Sequence, residues 1–113
     1  MTVLVAVAAD SPNLDPVRIS PQHYTVRLEN ERVRVLEWRL KPGGREPMHN
    51  HPDGILIVLA DSTLKSTSPE GPTTTRATVN GEVKWAPAVS HSIENVGSTE
   101  AHTLLVELKG GSR

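Results

Sequence analysis

Apolar and polar residues alternate along most of this chain with a period of two, the spacing of a strand with one buried face. Tyr24, Val26 and Leu28 alternate with Thr25 and Arg27. From Arg32 to Leu40 the alternation changes phase once, from Val33/Val35 to Leu36/Trp38/Leu40, as a β-bulge would produce. Gly54 to Ala60 is a nearly continuous apolar run, which predicts a strand buried on both faces. Further strands are expected over 63–67, 73–79, 83–85, 91–96 and 102–108, with turn chemistry between them at 29–31, 41–44, 68–72 and Gly97-Ser98. Asn80-Gly81 predicts a two-residue hairpin. Val3 to Ala9 reads as an N-terminal strand, and Pro12, Pro16 and Pro21 predict an extended connector over 10–23. Nowhere do apolar residues hold a 3.6-residue period over three turns. Many short, evenly spaced strands imply an all-β sandwich or barrel.

The chain has 113 residues and shows no internal repeat or linker, so it is read as a single domain over 1–113. Residues 1–23 supply the N-terminal strand and connector, and 24–108 the barrel. Aromatic residues make up 3% and Phe is absent, so Val, Leu, Ile and Ala must build the core. Trp38, Trp85 and Tyr24 are its expected large pieces. The net charge is −1 with acids and bases interleaved, which gives no basic patch for nucleic acid. There is no cysteine, so disulfides and thiolate ligands are excluded. That composition suits a cytoplasmic protein. The N-terminal apolar run lacks a basic flank and is far too short to span a membrane, so neither export nor a membrane partner is expected.

His49-Asn50-His51 offers two imidazoles on one face of a strand. Alone, such a pair is commonly a surface accident. Here it follows the Gly43-Gly44 turn and precedes an apolar strand, and His91 arrives from a distant segment. Three protein ligands with open positions are the pattern of catalytic metal sites, and neutral imidazole accepts Zn, Fe, Ni or Cu. Asp53 has three readings: a fourth ligand, a general base, or a turn residue before Gly54. Arg45 and Glu46 read as solvated loop charges. His102 reads as a surface or satisfied histidine, with a supporting partner or a pocket base as alternatives, and His23 as no ligand. Ser90-His91 is a poor nucleophile–base pair, since neighbours in a strand point oppositely.

The segments 44–54 and 81–95 together resemble the two motifs of the cupin superfamily. Gly44, His49 and His51 match the first; Gly81, Pro87, His91 and Asn95 match the second. The likeness extends over most of 24–108. It is nearest to small single-domain conserved-barrel cupins, some named for β-alanine degradation. The family's Glu ligand falls at Ile55 or Leu56, both apolar, and Val89 stands where the second motif carries a Gly. The resemblance implies a jelly-roll β-barrel and one divalent metal on His49, His51 and His91. Fe(II) is favoured, with Zn, Ni, Mn or Cu as alternatives. A three-His sphere resembles that of cupin dioxygenases, which implies oxidation of a small, anionic, chelating substrate. The alternatives are a Lewis-acid isomerase, lyase or cyclase, and a non-catalytic ligand-binding barrel. Small cupins also imply a homodimer, here through residues 3 to 9.

Overall fold

In the computed structural model, which describes residues 14–110, the strands form two antiparallel sheets. They are β1 (Tyr24–Glu29), β2 (Val33–Leu40), β3 (Arg45–His51), β4 (Gly54–Val58), β5 (Ser62–Thr67), β6 (Thr73–Thr78), β7 (Val83–Ala86), β8 (Val89–Asn95) and β9 (Ala101–Leu108). One sheet runs β1-β2-β9-β4-β7 and the other β3-β8-β5-β6. The architecture is the expected all-β jelly roll. Tyr24, Leu36, Trp38, Leu40 and Ala101 fill the space between the sheets, with Leu64, Ile93 and Leu105 packed against them.

Several expectations are corrected. Residues 16–23 are not extended: α1 (Pro16–Ile19) and a 3-10 turn (Pro21–His23) occupy them. Each proline stands at the first position of its turn, where it has no amide bond to lose. Asp15 caps α1 by accepting from the Val17 amide at 3.2 Å. The predicted N-terminal strand lies outside the described residues.

The bulge lies one strand away from its predicted place. β2 pairs with β9 in unbroken register, Val33↔Leu108 through Leu40↔Ala101, whereas β1 slips against β2 between Val26 and Leu28. Asn80-Gly81 closes no hairpin, because β6 and β7 belong to different sheets. Only Gly81 takes a positive φ, +97°, and the turn passes the chain across the barrel. β4 is half-buried rather than buried on both faces; only Gly54 and Val58 are fully covered. Trp38 joins the core as expected, but Trp85 is 57% exposed on the edge strand β7. Among the described residues no helix is long and apolar enough to cross a membrane.

Candidate metal centre

Antiparallel pairing of β3 with β8 sets His49 directly opposite His91, and the two-residue period places His51 beside His49 on the same face. The ring centroids lie 4.7 Å apart for His49–His91, 4.8 Å for His49–His51 and 5.6 Å for His51–His91. A ring nitrogen from each lies within 4.8 Å of the others. The rings line a cavity of about 130 Å³, whose other walls include Leu56, Leu64, Ile93 and Leu105.

What surrounds the rings decides which nitrogen each presents. The Nδ1 of His49 meets the Pro47 carbonyl at 2.7 Å, that of His51 meets Glu107 Oε2 at 2.8 Å, and that of His91 meets Ser66 Oγ at 3.2 Å. With each Nδ1 engaged, each Nε2 remains. The Nε2 of His49 is buried and has no hydrogen-bond partner among the described residues. A buried polar atom left this way costs roughly 1–3 kcal/mol, a cost that a ligand bond removes. Orientation of a ligating His through its other nitrogen is the usual arrangement of a metal site.

Burial and the neighbouring rings hold His49 down to about 4 and His91 to about 3, so both are neutral at pH 7, the form that binds metal. In metal-free protein the unfolded chain takes up these protons near pH 6.5, while the folded chain refuses them until about 4 and 3. The unfolded state then binds more protons, so stability is complete above about 6.5 and is lost as pH falls below it. For His49 alone the loss is roughly 3 kcal/mol. Burial pushes Glu46 up, which contributes a slope of opposite sign from one group against two. Urea midpoints of metal-free protein at pH 7.5 and 5 should differ accordingly; equal midpoints would contradict the cause given.

Two carboxylates lie beside the cluster, and sequence reading placed neither there; one of them holds a ring. Glu107 on β9 accepts from His51 and also from Arg34, whose Nε and Nη2 reach Oε1 at 3.0 and 2.8 Å. Arg34 continues to Asp15, at 2.8 Å to Oδ1 and 3.1 Å to Oδ2. Glu46, expected to be a solvated charge, is 1% exposed and lies in the cavity wall. The cause is a register slip in β3. Glu46 pairs with Ile93 and His49 with His91, three steps against two. The extra residue, at Pro47-Met48, turns Glu46 inward with His49 and His51. Pro47 inside a strand was the available signal. Glu46 and Glu107 line the cavity, with Arg34 and then Asp15 behind Glu107; with all four ionised the group is short of two positive charges, which is the charge of one divalent ion. Neutral donors, an orphaned Nε2 and this deficit all fit such an ion.

Asp53 accepts from the Ala88 amide at 2.8 Å and is not among the cavity-lining residues. Arg45 is exposed and pairs with Glu94 at 3.4 Å. His102 is bonded to Glu37 at 2.6 Å on the far side of β9 from Thr103. His23 ends the 3-10 turn and is not among the cavity-lining residues. Ser90 donates to Asn50 across the opposite face of the β3–β8 pair. Asn95 is a clasp: its Nδ2 donates to the Leu40 and Thr99 carbonyls, both at 2.9 Å.

No family model matches the chain. It is 33% identical over 87 residues to the β-alanine degradation protein BauB of Pseudomonas aeruginosa, covering 75% of this chain and 90% of that protein. It is 34% identical to a cupin domain of Bordetella pertussis whose crystal structure superposes with a TM-score of 0.71, covering 77% of this chain and 92% of that one. The chain belongs to the cupin superfamily. A double-stranded β-helix protein of Klebsiella pneumoniae, 24% identical over 84% of this chain and 80% of its own, shares the fold with a TM-score of 0.61. In this cupin the apolar Ile55 and Leu56 of β4 pair with Val106 and Leu105 of β9, so β4 brings no carboxylate to the cluster.

Proposed function

We propose that this cupin is a metal-dependent enzyme acting on a small polar molecule, with Fe(II) held by His49, His51 and His91 and dioxygenation as its reaction. One observation carries the reading: each Nδ1 is tied down, which leaves three Nε2 atoms to one small cavity. Fe(II), when bound, would supply open coordination positions and redox chemistry with O2. The protein's own part is to orient the rings through Pro47, Glu107 and Ser66 and to keep water out with the aliphatic wall. The cavity compares with the roughly 150 Å³ that holds benzene, so a substrate of about six heavy atoms fits inside. The BauB relative is named for β-alanine degradation, and small amino carboxylates of that size join the candidate substrates.

Anaerobic loading with Fe(II), followed by thiol carboxylates, β-diketones, aromatic acids and β-alanine, should give oxygen uptake with one class. No uptake, together with turnover supported equally by Zn(II), moves the function to a Lewis-acid isomerase, lyase or cyclase. Asp53 is then the general base to examine. Asp53→Asn with unchanged turnover leaves it as the residue that fastens the β3–β4 turn to Ala88. A cytoplasmic setting belongs to the same reading and is checked by fractionation.

A homodimer is also proposed. Val83 and Trp85, 66% and 57% exposed, stand on the edge strand β7. Their neighbours across the sheet, Ile57 and Ile55, and then Leu104 and Val106, extend the apolar face. The apolar run at 3 to 9 of a second copy suits that edge, because an added strand would cover both the face and the unpaired backbone. Deleting residues 1 to 9, or Trp85→Glu, should shift the solution mass from dimer to monomer at tens of micromolar, roughly the range of weak association. A wild-type monomer at that concentration would overturn it.

A further inference from the structure

One polar group in the cavity has no role in holding the rings. Glu46 Oε1 accepts from Trp38 Nε1 at 3.0 Å, but its Oε2 is buried and has no hydrogen-bond partner among the described residues. His49 Nδ1 is 3.5 Å away and already donates to Pro47. The Tyr24 hydroxyl, which burial keeps protonated well beyond neutral pH, faces the same carboxylate. A carboxylate oxygen taken from water and left open is among the costliest features a small core can carry. Apart from the Tyr24 hydroxyl and the Trp38 indole, the wall beside it is largely aliphatic, with Leu56, Leu64, Ile93 and Leu105.

We propose that Glu46 is the ligand-binding anion of this cavity: Oε2 accepts a hydrogen bond from the ammonium end of a small zwitterion whose carboxylate faces the three histidines. The inference rests on the proposed metal site for its second pole. It follows from how charge is distributed over the wall. Asp15, Arg34 and Glu107 are bonded to one another and to His51, which leaves this trio one negative charge beside the histidines. Glu46 has no cationic partner of its own. An ion on the histidines makes the opposite pole positive. Such a cavity is neutral overall yet strongly dipolar. It favours a molecule that is itself neutral overall with its charges at its two ends, rather than the purely anionic substrate that a three-His sphere alone suggests. Both poles and the spacer must fit about 130 Å³, so the spacer is short.

Three probes separate the two poles: propylammonium, propanoate and β-alanine, titrated calorimetrically into wild-type and Glu46→Gln protein, each metal-free and Zn(II)-loaded. Gln keeps the acceptor for Trp38 and the side-chain volume. Propylammonium should bind wild type at least tenfold tighter than 1-propanol, with or without Zn(II), and Glu46→Gln should erase that difference. Propanoate should need Zn(II) and be indifferent to Glu46→Gln. β-Alanine should lose affinity on either change. If propylammonium and 1-propanol bind wild type equally, or if neither binds, the Glu46 assignment is overturned without any variant. If Glu46→Gln leaves the preference intact, it is overturned as well. Propanoate binding that ignores Zn(II) instead removes the metal reading and leaves Glu46 standing.

Discussion

His51→Ala and His91→Ala proteins should each lose stoichiometric metal while remaining folded β proteins. Catalytic zinc-type sites are built on three protein ligands, so none is spare. Changes to residues that merely support a ligand already cost about 10–100-fold in affinity, so removing a ligand itself should cost more than about 100-fold. The fold should survive, because the buried cluster of Leu36, Trp38 and Leu40 lies on β2 and does not depend on either ring. His51→Ala should have a second effect that His91→Ala lacks. It strips Glu107 of one partner, whereas His91 meets only the Ser66 hydroxyl. Metal analysis of dialysed protein beside its circular dichroism checks both statements. A double variant that keeps one ion per chain would remove the histidines from the site.

Gly54→Ala is the other change with a large expected effect, on stability rather than chemistry. Gly54 begins β4 and pairs with Glu107. A Cβ there would collide with the Val106 carbonyl oxygen and come within 3.2 Å of its carbon and 3.3 Å of Glu107 Cα. These are backbone atoms in the middle of a paired strand and have no rotamer by which to yield. Overpacking of this kind costs about 3 kcal/mol, which lowers Tm by roughly 15 °C in a domain this small. The push falls on Glu107, so metal affinity should drop too, although residue 54 offers no ligand atom. A thermal melt within about 3 °C of wild type (less than 1 kcal/mol,) would contradict the close approach.

The histidines were legible because the signal was local. His-x-His needs only the strand period to converge, and His91 needed only a second segment, which the Asn80-Gly81 turn and Pro87 marked. The all-β architecture was legible for the same reason, since alternation is written residue by residue. Pairing was not. The phase change in β2 was real, but the compensating residue sits in β1, at Arg27, and nothing in β2 says so. Gly81 does turn the chain, yet a turn residue does not state which sheet receives the next strand. Glu46 was misplaced because one extra residue inverts the face of everything before it. Glu107 and Arg34 come together from positions 73 residues apart, a distance at which no spacing rule speaks. Even so, both alternate in step with buried neighbours, Leu36 and Trp38 for Arg34, Ala101 and Thr103 for Glu107. A charged residue at an inward-facing position of each strand was there to be read.

Asp15 caps α1, and through Arg34 and Glu107 it reaches His51. The amino-terminal helix and the histidine cluster therefore share a single hydrogen-bonded chain. Free-energy coupling between two sites is reciprocal. If holding Arg34 against Asp15 tightens His51 on an ion by some factor, that ion tightens the helix cap by the same factor. Helix α1 is in this sense part of the affinity of the centre, and an occupied centre is felt as order at the Asp15 cap, outside the barrel.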